Sequence, residues 1–227
     1  EMTVVDDELP EVTGIPASVI LENDPGNCGA VYEWVAPTAT DNCGTALITL
    51  SHQSGDFFEV GTTEVTIVVD DENGNVLNFA FNVEVNDTEP PTITRMPDDI
   101  TVSAEAGICT SNVDWELPEG NDNCAPSTLV SSHQAGTDFP VGTTLVTYTA
   151  TDIHGNITKE TFNITVIDEE FPTIAGLPAD LTTNSMPGVC GATVAWGEPI
   201  IDDNCGIASM TTSNGRGSLF EVGTKTV

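Results

Sequence analysis

Basic residues are almost absent from this sequence. Its 227 residues include 4 Lys+Arg against 36 Asp+Glu, which gives a formal net charge of −32 at pH 7. Because no basic surface is available to neutralise phosphates, nucleic-acid binding is excluded, and docking on an anionic membrane surface is disfavoured. A hydrophobic run of about 18 residues is also missing, so no transmembrane helix and no membrane insertion are predicted. Hydrophobic residues still make up 39% of the chain, so the protein is expected to fold.

The cysteines reveal an internal repeat. Cys28, Cys109 and Cys190 are equally spaced along the chain, and no insertion or deletion disturbs this register. The chain is therefore a tandem array. The same step separates a second cysteine set and the tryptophans, namely Cys43, Cys124 and Cys205, and Trp34, Trp115 and Trp196.

Acidic linkers that end in proline mark the domain boundaries. Their copies are Asp6–Pro10, Asp87–Pro91 and Asp168–Pro172. A division after the shared aspartate predicts repeats at 7–87 and 88–168, followed by a C-terminally incomplete repeat at 169–227. Residues 1–6 align with the end of a repeat and are interpreted as the last strand of a preceding one. The chain is thus expected to be a window on a longer polypeptide.

Within each repeat the hydrophobic pattern is that of β-strands. In Leu145–Thr151 apolar and polar residues alternate with a period of two. The segments Asp71–Asn75 and Asp152–Asn156 lie at matching positions between such strands, and the Asn73-Gly74 pair of the first is the strongest short signal for a β-hairpin. Pro and Gly interrupt every stretch long enough for a helix. We therefore predict an all-β chain of tandem Ig-like β-sandwich domains, with about seven strands each.

Several motifs carry a resemblance to a known family, the hyalin repeat (HYR) family. They are Pro90-Pro91-Thr92-Ile93, Asp122-Asn123-Cys124, Phe139-Pro140-Val141-Gly142-Thr143-Thr144 and Tyr148-x-Ala150-Thr151-Asp152-x-x-Gly155-Asn156. The resemblance implies an extracellular Ig-like β-sandwich, used in adhesion and in surface or matrix assemblies, with no catalytic residues. Departures are modest: Glu59 stands where the second repeat has Pro140, and Asn214 stands where the other repeats have histidine.

The two cysteines of each repeat lie 15 positions apart and recur in every copy. We predict one disulfide inside each repeat, since every copy contains both cysteines. Such bonds require an oxidising compartment, so the protein is expected outside the cell, on its surface or in a secreted matrix. Zinc binding is the alternative, although two thiols without a nearby histidine make a poor tetrahedral site. The predicted bridges are Cys28–Cys43, Cys109–Cys124 and Cys190–Cys205.

Carboxylates recur two positions apart at each linker and form the candidate metal site. Hard oxygen ligands concentrated at a domain junction suit Ca²⁺, which takes six to eight oxygens in loose geometry. The alternative is a solvated acidic linker without metal. The candidate ligands are Asp6, Glu8, Asp87, Glu89, Asp168 and Glu170, and the aspartates that complete the site if the fold brings them to the same end are Asp41, Asp71, Asp122, Asp152 and Asp203.

Tryptophan and histidine recur without a catalytic pattern. Trp34 and its copies are expected to pack in the core against the disulfide, with sugar stacking as the alternative. His52 and His133 lack an adjacent nucleophile, and the third repeat replaces this histidine by Asn214. A position that accepts asparagine is typical of a hydrogen-bonding strand residue and not of a general base. No catalytic residues are predicted, so the chain is not expected to be an enzyme.

These observations predict an extracellular structural and adhesive protein that forms a rod or fibre. Its expected partners are adjacent repeats or neighbouring copies of the same protein, whose Met2–Val5 strand adds to an open sheet edge. One alternative is an adhesin that contacts a surface glycan or a protein receptor through exposed aromatic side chains. A second alternative is a non-catalytic stalk of a larger surface enzyme.

Overall fold

The computed structural model of the chain describes residues 1–207 and 209–226. Every regular element in these two ranges is a β-strand, so the predicted all-β class is confirmed. Within the same ranges, no helix has the length and apolar character that a membrane crossing requires.

The first repeat contains eight strands, close to the predicted seven. Most are short because Pro and Gly interrupt the chain, and only the last two strands are long. They are β1 (Glu11–Thr13), β2 (Val19–Glu22), β3 (Gly29–Val31), β4 (Thr38–Thr40), β5 (Leu47–Leu50), β6 (Phe57–Glu59), β7 (Gly61–Asp70) and β8 (Val76–Asn86).

A four-stranded sheet in the order β2-β8-β7-β5 forms one layer of this repeat. Strands β7 and β8 pair in antiparallel fashion from Gly61↔Val85 to Asp70↔Val76, with the turn at residues 71–75, as the hairpin motif predicts. Strand β2 joins the other side of β8 in parallel. The two-stranded pairs β3-β6 and β1-β4 complete the Ig-like sandwich.

The core of the first repeat lies between these layers. Every second residue of β7 and β8 points inwards, as expected for a strand with one buried face, and the opposite layer adds Ala30 and Phe58. The indole of Trp34 packs against this core. The inward residues of the two long strands are Val65, Ile67, Val69, Phe81, Val83 and Val85, all of them 0–3% exposed.

The second repeat has a matching set of strands, and the third contributes four in the described part of the chain. The second set is β9 (Thr92–Thr94), β10 (Ile100–Ser103), β11 (Thr110–Val113), β12 (Glu119–Asn121), β13 (Thr128–Ser131), β14 (Thr137–Pro140), β15 (Gly142–Thr151) and β16 (Ile157–Ile167). The third is β17 (Thr173–Ala175), β18 (Gly191–Thr193), β19 (Ile200–Asp202) and β20 (Leu219–Glu221).

The chain forms two compact units. The first comprises residues 1–96, 117–132 and 147–160, and the second comprises residues 97–116, 133–146 and 161–227. The second sequence repeat therefore contributes segments to both units. The repeat boundaries at 7–87, 88–168 and 169–227 stay a prediction from the sequence register.

The predicted disulfide pairing is wrong. Cys28 is bonded to Cys124, inside the first unit, and Cys109 is bonded to Cys205, inside the second. Each bridge spans 96 residues and joins one repeat to the next. Cys43 and Cys190 are free and exposed, so the predicted bridges Cys28–Cys43, Cys109–Cys124 and Cys190–Cys205 do not form.

Cys28 and Cys43 lie at opposite ends of the repeat, which explains why they do not form a disulfide with each other. The loop before Cys28 contacts the linker that follows the repeat, because the Gly26 amide donates to Glu89 Oε2 over 2.7 Å. The loop that holds Cys43 contacts the linker that precedes the repeat, because the Asn42 side chain donates to Glu8. The segment between the two cysteines thus runs from one end of the repeat to the other. A disulfide needs Cα atoms about 4.4–6.8 Å apart, which this arrangement offers only across the junction.

Candidate functional site

Three carboxylates converge at the start of the first repeat. Asp6 of the linker, Asp41 of the loop after β4 and Asp71 of the β7–β8 turn each place one oxygen within 4.8 Å of the others. Asp71 is 1% exposed, whereas Asp6 and Asp41 are half-buried. The sequence separates these residues widely, and the sandwich brings their three segments to the same end. We call Asp6, Asp41 and Asp71 the first acid triad.

The hairpin turn holds Asp71 firmly in place. Its Oδ1 accepts hydrogen bonds from the amides of Asn73, Gly74 and Asn75 at 2.9–3.0 Å, and its Oδ2 accepts one from Asn75 Nδ2 at 2.6 Å. Burial is the largest single influence on the pKa of Asp71 and opposes ionisation, but these hydrogen bonds together outweigh it and lower the pKa. Asp71 is therefore a fixed carboxylate that carries its negative charge at neutral pH.

The other two members of the first acid triad each have one oxygen without a partner. Asp6 Oδ1 accepts the amide of Glu8 and Asp41 Oδ2 accepts the amide of Cys43. The second oxygens, Asp6 Oδ2 and Asp41 Oδ1, are buried and make no hydrogen bond to any described residue. Buried carboxylate oxygens are costly when they lack a partner. The cluster therefore offers hard oxygen ligands suited to a divalent cation such as Ca²⁺.

The second repeat builds the same cluster at the equivalent positions, as the second acid triad of Asp87, Asp122 and Asp152. Asp152 repeats the role of Asp71, since its Oδ1 accepts three turn amides at 2.6–2.9 Å. These hydrogen bonds outweigh the opposing effect of burial and lower the pKa of Asp152. Asp122 Oδ1 is buried and has no partner among the described residues. In contrast to Asp6, however, Asp87 has both oxygens occupied, because His154 Nδ1 lies 2.8 Å from its Oδ2.

The glutamates predicted as metal ligands have other contacts. Glu89 Oε2 accepts the amide of Gly26, and Glu170 Oε2 accepts the amide of Gly107 at 2.9 Å. Glu8 accepts a hydrogen bond from the Asn42 side chain. None of the three joins the described acid triads. They connect each linker to its surroundings, while Asp41, Asp71, Asp122 and Asp152 complete the cluster.

At the third linker the predicted ligands Asp168 and Asp203 make only local hydrogen bonds in the described chain. Asp168 Oδ1 accepts the amide of Glu170, and Asp203 Oδ1 accepts the amide of Cys205. No third acid joins them in a cluster within residues 1–207 and 209–226.

The disulfide lies beside the second acid triad. Cys124 Sγ is within 4.8 Å of ligand atoms of Asp87 and His154. Asn123 Nδ2 donates to the carbonyl of Asn27 at 2.9 Å and thereby fixes the same loop. Because Cys124 is oxidised to a disulfide, it supplies no thiolate to a metal. The bridge therefore connects the end of one repeat directly to the acidic site of the next.

The loop on the other side of this bridge requires glycine. Gly26 has φ = 73°, a left-handed conformation that other residues adopt only with strain. Its copies Gly107 and Gly188 have φ = 77° and 75°. This turn presents the Gly26 amide to Glu89 and places Cys28 next to Cys124.

Comparison with known proteins now identifies the modules. Residues 5–85 and 86–166 each match the family model described as HYR domain. This chain belongs to the HYR domain family. The resemblance found in the sequence motifs is thereby confirmed.

The similar curated proteins include two hyalins. Hyalin of Strongylocentrotus purpuratus is 37% identical over 233 residues, which cover 100% of this chain and 19% of that protein. Hyalin of Lytechinus variegatus is 37% identical over 230 residues, which cover 98% of this chain and 43% of that protein. The HYR chain thus spans less than half the length of either relative. Among solved structures, protocadherin gammaB7 EC3-6 aligns with a TM-score of 0.37 and 12% identity, over 86% of this chain and 61% of its own.

The recurring tryptophans of the HYR repeats have the predicted core role. The ring of Trp34 lies 5.4 Å from that of Phe81 and 6.1 Å from that of Phe58. Trp115 makes the same contacts with Phe162 and Phe139, at 5.3 and 5.9 Å. The Cys28–Cys43 bridge against which Trp34 was expected to pack does not exist, and aromatic rings take its place. Stacking of these indoles on a sugar is not supported, since the rings are half-buried against phenylalanine.

The repeated histidines also have a structural role. The ring of His52 packs 5.3 Å from that of Phe58, and its Nδ1 lies 3.1 Å from Ser51 Oγ. Ser51 Oγ in turn accepts the amide of Thr66 on the neighbouring strand. His133 packs on Phe139 in the same way, with ring centroids 5.6 Å apart. The hydroxyl of Ser51 is thus used to hold two strands together.

Two features of the site were missed by sequence reasoning. The first is the disulfide between repeats. One signal for it was present in the sequence, because Cys124 directly follows Asp122-Asn123. If Asp122 and the linker share a metal site, Cys124 must also lie at the junction between repeats. The second is His154, which occurs in one copy only and stands where the first repeat has Asn73. No repeated pattern could have revealed its contact with Asp87.

Proposed function

We propose that this HYR chain acts as an extracellular structural and adhesive protein, whose repeats form a rod or fibre stiffened by disulfides and by Ca²⁺ at the junctions. The observation that carries the proposal is the Cys28–Cys124 bridge, which joins consecutive repeats directly beside the second acid triad. A disulfide of this kind is stable only in an oxidising compartment, which supports a location outside the cell. Membership of the HYR family supports the adhesive role.

The charge of the chain supports Ca²⁺ as the ion. The sequence has only 4 Lys+Arg against 36 Asp+Glu. Among the described residues, Arg95 pairs with Glu119 and the ring of His154 contacts Asp87, and neither contact neutralises the first acid triad. Three carboxylates whose oxygens lie within 4.8 Å repel one another, and partial burial strengthens this repulsion. A bound cation would remove the repulsion and occupy the unpartnered oxygens of Asp6, Asp41 and Asp122.

Bound Ca²⁺ would also explain how the junction becomes stiff. Each acid triad draws one ligand from the linker, one from the loop after the fourth strand and one from the hairpin turn. A cation shared by these three segments would fix the linker to the body of its repeat. The disulfide fixes the same linker region to the preceding repeat. The two devices together would restrict rotation about the junction.

Titration calorimetry of the oxidised chain with CaCl₂, after treatment with EDTA, tests the proposal. We expect two sites per chain, one for each acid triad. The Asp41→Asn, Asp122→Asn variant keeps an oxygen that accepts the amide of Cys43 or Cys124 but removes one ligand charge from each site. This variant should bind Ca²⁺ at least tenfold more weakly, which corresponds to about 1.4 kcal/mol for each site.

A matched control removes two exposed carboxylates outside the triads, in the Asp98→Asn, Glu116→Gln variant. It changes the net charge by the same amount and should retain both sites. Small-angle scattering and thermal melting in CaCl₂ or EDTA at equal ionic strength measure the effect of Ca²⁺ on the stiffness and the thermal stability of the chain. Binding raises stability by about 2.7 kcal/mol when free Ca²⁺ is a hundredfold above Kd. Equal scattering and melting in both buffers, without stoichiometric binding, would show that the linkers are simply solvated acids.

A further inference from the structure

A histidine and a carboxylate lie next to the disulfide that joins the first two repeats. Cys124 Sγ, a carboxylate oxygen of Asp87 and a ring nitrogen of His154 all lie within 4.8 Å of one another. Cys28 Sγ is bonded to Cys124 Sγ and therefore belongs to the same group. All four residues are part of the first compact unit. We call Cys28, Cys124, His154 and Asp87 the mixed-ligand group.

The mixed-ligand group contains the ligand types of a tetrahedral zinc site. Zn²⁺ binds cysteine sulfur, histidine nitrogen and carboxylate oxygen, and bonds of about 2.0–2.3 Å place neighbouring ligand atoms roughly 3.3–3.8 Å apart. His154 Nδ1 lies 2.8 Å from Asp87 Oδ2, slightly closer than this spacing. Side-chain shifts of about 1 Å would therefore convert the observed arrangement into a tetrahedron around one ion.

The S–S bond is what prevents this group from binding a metal. The thiolate is the ligand form of cysteine, and a disulfide sulfur carries no negative charge. Cys28 and Cys124 are half-buried, and together with Phe57, Glu59 and Val60 they line a surface pocket. A small reductant can reach the bond through this pocket. Both cysteines are also thiols in the newly made chain, before the bridge is oxidised.

We propose that the mixed-ligand group binds one Zn²⁺ when the Cys28–Cys124 bond is absent, through both thiolates, the imidazole of His154 and the carboxylate of Asp87. The ion then holds together the same two loops that the disulfide joins in the oxidised chain. Soft thiolate ligands select Zn²⁺ over the hard cation Ca²⁺. The inference goes beyond the proposed function and holds whether or not the acid triads bind Ca²⁺.

Opening of the disulfide needs a reductant, which in the test is a water-soluble phosphine. Phosphorus attacks one sulfur and the S–S bond breaks; water then displaces this sulfur from phosphorus, which gives the phosphine oxide and two protein thiols. Phosphorus loses two electrons, the two sulfurs gain them, and water supplies both protons. Zn²⁺ afterwards replaces the two thiol protons, which are released to the solvent as the two Zn–S bonds form.

Metal titration of the reduced chain tests the proposal, in a Cys43→Ser, Cys190→Ser background that removes the two thiols outside the bridges. Co²⁺ is added first, because its visible absorption reports tetrahedral thiolate ligation, and Zn²⁺ then displaces it. We expect one such site per chain. Even groups that only orient a ligand change metal affinity by about 10–100-fold, so His154→Asn should weaken Zn²⁺ binding by about tenfold or more. The control His133→Asn, which copies Asn214 of the third repeat, should bind normally.

Reoxidation of the same chain gives a second measurement with an internal control. Zn²⁺ should slow the re-formation of Cys28–Cys124 by oxidised glutathione several-fold, because bound thiolates are protected. It should leave Cys109–Cys205 unaffected, since neither of these cysteines lies in a group of three possible ligands within residues 1–207 and 209–226. Peptide mapping over time measures each bridge separately.

Circular dichroism shows whether the reduced chain is folded. If it unfolds without metal, Zn²⁺ should refold it, and His154→Asn should abolish this refolding. The proposal is overturned by a Co²⁺ spectrum without thiolate ligation, by an affinity that ignores His154, or by equal protection of the two bridges, which would mean that Zn²⁺ binds any neighbouring thiols. Because these solutions contain no Ca²⁺, failure here leaves the Ca²⁺ proposal to its own test.

Discussion

The imidazole of His154 lies with Nδ1 2.8 Å from Oδ2 of Asp87, and it donates to that carboxylate. The side chain of Asp87 is fully buried, and that of His154 is 30% exposed. The corresponding oxygen in the first repeat, Asp6 Oδ2, is buried without a partner among the described residues. The two acid triads therefore differ in one respect: His154 already occupies an oxygen that the first triad leaves available.

This difference predicts unequal affinity of the two triads for Ca²⁺. A cation in the second triad must displace the His154 hydrogen bond from Asp87, whereas the first triad has no such competitor. The exchange His154→Asn should strengthen Ca²⁺ binding at the second triad roughly tenfold or more, since hydrogen bonds to charged groups contribute about 1.5–3 kcal/mol. Calorimetric titration with CaCl₂ measures the change in Kd of the second triad, in chains whose first triad is disabled by a substitution.

The reciprocal exchange Asn73→His serves as the control for this prediction. It places a histidine at the equivalent position of the first triad and should weaken binding there while leaving the second triad unchanged. If His154→Asn and Asn73→His shift affinity in the same direction, the competition between His154 and the cation is refuted.

The disulfide pairing predicts a large difference between two cysteine variants. Cys124→Ser removes a bridge that closes a loop of 96 residues, whereas Cys43→Ser removes a thiol that has no disulfide partner. In the chain-entropy model a loop of about 100 residues contributes about 4.7 kcal/mol, so Cys124→Ser should lower Tm strongly and Cys43→Ser hardly at all. Differential scanning calorimetry compares the two variants, and non-reducing peptide mapping should find Cys28–Cys124. A Cys28–Cys43 peptide would contradict the structure.

The thiol of Cys43 is expected to react slowly at neutral pH. Although Cys43 is exposed, partial desolvation and the negative charges of Asp6, Asp41 and Glu8 raise its pKa. Because the thiolate is the reactive form, labelling by iodoacetamide should accelerate when the pH is raised above the usual range of a thiol. Asp41→Asn should accelerate labelling at pH 8, and the exposed substitution Asp98→Asn should not. Equal rates in all three chains would show that the carboxylates do not control this thiol.

Asp99 is predicted to make stability depend on pH below about 4. The backbone amide of Asn163 donates to Asp99 Oδ1 over 2.7 Å, and this bond, with one from the Asn163 side chain, lowers the pKa of Asp99. A carboxyl whose pKa is lower in the folded than in the unfolded state stabilises the fold above the unfolded pKa, and loses this effect as pH falls through the folded pKa. In the first repeat the neutral Ser18 accepts the equivalent amide of Asn82.

The substitution Asp99→Ser copies this natural replacement and should flatten the dependence of Tm on pH between about 2 and 5. Asp98→Asn, at the exposed neighbour, is the control and should leave the dependence unchanged. Identical profiles for all three chains would refute the role of Asp99.

Phe58 and Phe57 offer a matched test of the core. Phe58 is 2% exposed and belongs to the core cluster, whereas the adjacent Phe57 points outwards and is 49% exposed. Phe58→Ala should cost about 3–5 kcal/mol, because the truncation leaves a cavity between the two layers. Phe57→Ala should cost much less. Urea denaturation measures the free energy of unfolding of both variants. Equal losses of stability would contradict the orientation of β6 in which Phe58, and not Phe57, faces the core.

Local patterns were sufficient to predict the modules themselves. The alternation in β7 and β15, the turn segments Asp71–Asn75 and Asp152–Asn156 and the proline-marked linkers depend on residues close to one another in the chain. Sequence reasoning therefore predicted the all-β class, the β7–β8 hairpin, the core role of Trp34 and the HYR resemblance. The candidate ligands predicted from the sequence include all residues of both acid triads. Glu8 and Glu89 were preferred to Asp41 and Asp71 because the recurrence of carboxylates at the linker is visible in the sequence, whereas the direction of each side chain is not.

The partners of the cysteines and carboxylates were decided by tertiary structure alone. Pairing Cys28 with Cys43 and pairing Cys28 with Cys124 both preserve the period of the repeat, so periodicity cannot distinguish them. The choice depends on which ends of the sandwich meet: the path through β3 and β4 carries Cys43 away from Cys28, and the linker brings the Asn123-Cys124 loop to it. The strands and turns of each repeat follow from local steric and hydrophobic preferences, so they could be predicted from the order of the residues. Only the packed chain determined how one repeat is bonded to the next, because a disulfide or an ion pair forms between atoms that the whole fold places within a few ångströms.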